Sequence, residues 1–87
     1  MVPANNKRRI TMSRTLGTIA REIKADWGSK MYFGAKPYVE AMAELQTIHD
    51  RYLYDSGESV VRYFLANASS WRGDTARRVK AELKAML

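Results

Sequence analysis

The sequence predicts an all-α protein, a compact four-helix bundle with a flexible N-terminal arm. Three observations carry that expectation. Apolar residues recur at three- and four-residue spacing, the period of one helix face. Glycine, proline and small polar residues stand between the periodic stretches, where helices stop and start. With 87 residues and no cysteine, one domain must draw its stability from packed helix faces, without disulfides or thiolate-bound metal. A chain of this size buries about 60–65% of its unfolded surface, so its stability without a partner is expected to be modest.

Residues 1–11 lack an apolar period and contain Pro3, Asn5 and Asn6, which reads as a flexible basic arm ahead of a single domain over 12–87. Lys7, Arg8 and Arg9 either touch phosphates or form a solvated tail, and Met12 is an alternative start. The first helix is expected from Ser13 to Trp27, with Met12, Leu16, Ile19, Ala20, Ile23 and Trp27 on one face and Gly28 as the stop. Met31, Tyr32 and Phe33 follow in a connection; they are expected to fold back over the core, the alternative being an exposed aromatic contact patch. Pro37 suits a first helical turn and pushes Lys36 away from helical dihedrals, so the second helix is expected from Pro37 to Tyr52. Its apolar face would hold Tyr38, Ala41, Met42, Leu45, Ile48 and Tyr52, with Glu40, Glu44, Thr47 and Arg51 opposite and His49 packed at the edge.

Asp55 or Ser56 can cap the third helix, expected from Gly57 to Ala68. Val60, Val61, Phe64, Leu65 and Ala68 give it a wide apolar arc, so it is expected to be the most buried helix. Trp71 would close the core from below. Gly73 frees the backbone for a turn, and Asp74 would cap a fourth helix running towards Leu87. Its buried stripe is Ala76, Val79, Leu83 and Met86; Arg77, Lys80 and Lys84 form a basic stripe beside it. Arg78 lies on the other flank, four residues before Glu82, and the small Ala81 and Ala85 would let a second copy approach and dimerise.

The net charge of +6 is uneven. Residues 1–30 carry seven Lys/Arg against two acids, residues 31–59 two against five, and residues 60–87 six against two. Two basic ends flanking an acidic middle favour an anionic partner, nucleic acid or a nucleoprotein; the alternative is a soluble domain that is merely basic. A helix, a turn and a basic helix also invite a helix-turn-helix reading, with Arg72, Arg77, Lys80 and Lys84 on phosphates or bases. Against it, the link from Ala68 to Asp74 exceeds the usual three- or four-residue turn, and the helix lacks Asn and Gln.

Gly-rich phosphate loops, carboxylate pairs at catalytic spacing and His/Cys clusters are missing, so neither enzymatic activity nor a cofactor or metal is expected. His49, Asp55 and Ser56 are not set in a nucleophile elbow. No apolar run approaches the ~18–20 residues of a membrane span, and the basic N-terminus lacks the apolar core of a signal peptide, so the cytoplasm is the expected compartment.

Tyr32-Phe33-Gly34-Ala35-Lys36-Pro37-Tyr38, Ala41-Met42, Asp55-Ser56-Gly57, Tyr63-Phe64-Leu65-Ala66-Asn67-Ala68 and Trp71-Arg72-Gly73 together resemble small helical proteins encoded by bacteriophages, prophages and related mobile elements. The resemblance covers about residues 13–87 and implies a setting in which small proteins bind and redirect host machinery, including as inhibitors of CRISPR nucleases or restriction systems. For such docking on a host protein, the expected contacts are Tyr32, Phe33 and Tyr54 or the acidic face formed by Glu40 and Glu44.

Overall fold

The computed structural model describes residues 14–87. The expected arm and Met12 lie outside them. The described residues hold four α-helices: α1 (Leu16–Trp27), α2 (Lys36–Ala43), α3 (Gly57–Ala66) and α4 (Asp74–Met86). A two-residue-per-strand antiparallel hairpin, β1 (Arg51–Tyr52) and β2 (Asp55–Ser56), precedes α3, and a 3-10 turn over Gly28–Lys30 follows α1.

Helix α1 starts because Thr15 caps it, its hydroxyl accepting from the Thr18 amide at 3.1 Å. It ends at Gly28, whose φ of 58° only glycine adopts without strain. The expected face is the buried one: Leu16, Ile19, Ala20, Ile23 and Trp27. It packs against both α2 and α4. The most buried helix is therefore α1, whereas α3, expected to be so, contributes Val60, Val61 and Phe64 and leaves Tyr63 half exposed.

Helix α2 departs most from expectation. It begins at Lys36, ahead of Pro37, and ends at Ala43 well short of Tyr52. The reason is competition for backbone groups. In a longer helix the carbonyls of Leu45 and Gln46 would bond amides four residues on. Here they accept instead from Gly17 and Leu16, both at 2.9 Å, and so satisfy the open first turn of α1. The Asp50 carboxylate meanwhile takes the amides of Gln46 and Thr47 at 2.9 and 3.1 Å, which holds its pKa below the usual carboxylate range. Downstream, the carbonyls of Asp50 and Ile48 receive the Gly57 and Glu58 amides at 2.7 and 2.9 Å. Residues 45–50 thus serve as a carbonyl hub that closes two helix N-termini. A Cβ on Gly57 would lie 2.7 Å from the Thr47 oxygen, so this close approach needs glycine. His49 consequently sits exposed in the hub, not packed at a helix edge.

Ser56 caps α3 as expected, accepting from the Ser59 amide at 3.1 Å. Helix α4 is capped differently. Gly73, with φ of 109°, holds the N-cap position, and Asp74 is the first helical residue. Three aromatic rings join the ends of α1 and α3 to the link before α4. Trp27 and Trp71 stack with centroids 5.6 Å apart, and Phe64 meets each edge-on at 6.4 and 6.2 Å. Trp71 also donates its indole N–H to Asp26 Oδ2 at 2.8 Å. Offset and edge-on pairs each add about 0.5–1.5 kcal/mol beyond the burial of their area.

Candidate nucleic-acid interface

One side of α4 packs inward through Ala76, Val79 and Leu83, which leaves Arg77, Arg78, Ala81, Lys84 and Ala85 exposed. The basic side chains on this surface have separate fates. Arg78 does not pair with Glu82 along its own helix. It reaches across to Glu22 on α1, while Glu82 receives Arg14 in a two-point contact, Nε to Oε2 at 2.9 Å and Nη2 to Oε1 at 2.6 Å. Arg14 Nη1 also lies 2.8 Å from Glu22 Oε1. The result is a ladder, Arg78–Glu22–Arg14–Glu82, that fastens α1 to α4. Hydrogen bonds from Arg78 and then Arg14 hold the Glu22 carboxyl below its ordinary pKa, and the Glu82 contact raises that of Arg14.

Arg77 bonds Asp74 on the exposed first turn of the helix. Lys80 is half-buried and donates to the Trp71 carbonyl at 2.7 Å. Its pKa is depressed by burial first, and then by the charges of Lys84 and Arg72. Arg72, Lys80 and Lys84 therefore lie within electrostatic range of one another, while Arg72 and Lys84 are exposed and have no carboxylate partner among the described residues. Arg8 and Arg9 lie outside the described residues. The link between α3 and α4 spans residues 67–73 and is pinned by Trp71, which differs from a short helix-turn-helix turn.

The exposed aromatic residues fall into two places. In the 31–36 connection, Met31 packs on the core and Ala35 is fully buried, and these fill the inward positions. Tyr32 and Phe33 therefore face solvent, 44% and 77% exposed, and do not fold back over the core. Their ring centroids lie 4.9 Å apart. Tyr54 is 93% exposed beside Leu53 at 79%, at the tip of the hairpin that replaces the end of the expected second helix. Leu53 has a φ of 57°, a conformation unusual for a leucine. With α2 ending at Ala43, no continuous acidic helix face forms: Glu40 pairs with Lys24 at 3.4 Å, and Glu44 is the C-terminal cap residue.

The sequence does not mark Leu53, Asn67, Ser69 or Ser70 as candidate site residues. Asn67, Ser69 and Ser70 line a cleft of about 330 Å³ with Tyr32 and Ala66. A second, mostly apolar cleft of about 410 Å³ opens between Arg14, Ile48, His49 and Met86. The hairpin's one legible signal is Tyr-Leu-Tyr followed by Asp-Ser-Gly, a β-prone run ending in turn residues. Among the described residues, no group of three His, Cys, Asp or Glu could hold a metal, and no helix is long and apolar enough to cross a membrane. Neither a protein-family model, nor a curated protein, nor a solved structure matches the chain.

Proposed function

We propose that the protein is a non-enzymatic accessory factor of a phage or mobile element that binds nucleic acid or a nucleoprotein in the host cytoplasm. The contact surface is Arg72, Lys80 and Lys84, with Arg77 beside them. One observation carries the reading: Arg72, Lys80 and Lys84 gather within electrostatic range and none forms a salt bridge with a carboxylate among the described residues, while the Lys80 ammonium is disfavoured first by burial and then by the other two charges. On the same helix, Arg77 is paired with Asp74 and Arg78 with Glu22 on α1. An unpaired cluster beside the paired Arg77 and Arg78 is what a polyanion would neutralise. The test is fluorescence anisotropy with labelled DNA and RNA across a salt series. Binding should weaken linearly in log–log form with salt, and Arg72→Ala with Lys84→Ala should flatten the slope by about one for each phosphate no longer neutralised. No binding at low salt sinks the reading.

A second reading has its own observation. Leu53 and Tyr54 expose two large apolar side chains on a strained two-residue turn, where hairpins favour Asn-Gly. That suits direct docking on a host protein, such as a CRISPR or restriction component, in an inhibitor. Retention of the target from nuclease-treated lysate, abolished by Tyr54→Ala, would support this reading; retention only through nucleic acid would sink it.

A further inference from the structure

We propose that the nucleic acid is single-stranded, and that Tyr32 and Phe33 form the platform on which its bases stack. The inference rests on the basic cluster being a nucleic-acid surface and specifies the strand state it takes. Stacking on aromatic faces beside a basic track is how single strands are held without sequence preference, because every base has a π-face and a duplex keeps its own bases stacked.

Four observations place the platform. Tyr32 and Phe33 are adjacent, mutually tilted by 57° and exposed, while the other large side chains of the neighbouring core are buried. They sit in a connection flanked by the exposed Lys30 and Lys36, so the aromatic pair carries positive charge on both sides. The Tyr32 ring lies close over Gly34, where a Cβ would come within 2.5 Å of the ring and 3.1 Å of Asn67 Oδ1. The ring forms one wall of the cleft completed by Ala66, Asn67, Ser69 and Ser70. The cleft therefore has an aromatic wall and polar groups suited to a base edge. Asn67 is oriented by donating its amide to the Tyr63 carbonyl at 2.8 Å, which leaves its Oδ1 available to accept. Two residues beyond Ser70 the chain reaches Arg72, the first member of the basic cluster. Along the chain, the cleft residues Ser69 and Ser70 are separated from Arg72 only by the buried Trp71.

The basic residues are also poorly set for reading a duplex from α4. A duplex reader needs side chains aimed at base edges from a helix in the groove. Here Arg78 is committed to α1, Lys80 is turned back to the Trp71 carbonyl, and Arg72 lies in the link before the helix.

The experiment compares three fluorescein-labelled probes by anisotropy against the full chain: a twelve-residue oligothymidylate, the same strand with abasic sites throughout, and a duplex of equal phosphate number. The oligothymidylate should bind more tightly than either other probe. Tyr32→Ala and Phe33→Ala should each weaken oligothymidylate binding about tenfold, as loss of one stacked base does, with no change in salt slope or in abasic-strand binding. Phe33→Trp should retain the affinity. Lys84→Ala should instead weaken all three probes and flatten the salt slope. Circular dichroism should show every variant folded, since Tyr32, Phe33 and Lys84 are exposed. Equal binding of the abasic strand, or wild-type binding by both aromatic variants, would overturn the platform while leaving the basic surface intact. Absence of salt-dependent binding to any probe would remove the basic surface, and the platform with it.

Discussion

Two sets of aromatic side chains occupy opposite environments in this small domain. Trp27, Phe64 and Trp71 are buried in mutual contact, and Asp26 satisfies the Trp71 indole N–H. Tyr32, Phe33 and Tyr54 are exposed, positioned by backbone turns and not by core packing. The first set lies where α1, α3 and the link meet, so each ring removes apolar area from water and bridges elements distant in sequence. The second set removes little area, and its cost in exposure is unexplained by folding. Aromatic residues that stabilise a fold and those that serve a surface can thus be told apart by what holds them.

The contrast between the two sets is most exposed to test at Trp71. Replacement by alanine should cost about 3–5 kcal/mol, as for other buried tryptophans, and should lower the thermal midpoint by tens of degrees or unfold the chain. Thermal denaturation followed by circular dichroism checks it; a destabilisation comparable to that of Phe33→Ala, expected within about ±0.5 kcal/mol of zero, would erase the distinction.

Next in size is Gly57→Ala. Helix propensity alone favours alanine by ~1 kcal/mol. The Thr47 oxygen 2.7 Å from the new Cβ reverses the sign, giving a destabilisation of about 1–3 kcal/mol in urea titration. A stabilised variant would show that the hub relaxes freely.

Charged groups separate fold from surface in the same way. Because Glu22 and Asp50 have depressed pKa values in the folded state, both contribute stability that is complete above their ordinary values and is lost as pH falls through their folded ones. Urea midpoints should therefore drop below about pH 4.5, the ordinary Glu value, and Glu22→Gln should flatten that part of the profile. Lys80 works the other way at alkaline pH. Its ammonium is disfavoured in the fold, so stability should rise as pH climbs from its lowered pKa towards the ordinary 10.5, and Lys80→Met should remove that rise.

The smallest effect is expected at the hairpin tip. Leu53→Gly relieves a positive φ that glycine adopts freely and should stabilise the chain by about 1 kcal/mol or less in urea titration, while removing one exposed apolar side chain.

Much of the fold is legible from periodicity. The buried face of α1, a cap at Ser56 and the Gly28 stop follow from residues that interact within a turn or two, or from a turn that only glycine makes. The basic residues of α4 can be placed on one helix by the same counting. Their partners cannot. Arg78 could reach Glu82 four residues on or Glu22 on another helix, and only the packing of α1 on α4 decides between them. The exposure of Tyr32 and Phe33 likewise depends on Met31 and Ala35 taking the inward positions.

Four helical segments, most of their apolar faces and a basic C-terminal end are written in the order of the residues. Where α2 ends, and that a hairpin follows it, is settled only when the helices pack. Periodicity runs on through Leu45, Ile48 and Tyr52, but the carbonyls of residues 45–50 complete the first turns of α1 and α3. A helix pattern records which side chains could share a face; it does not record which backbone groups another helix will claim.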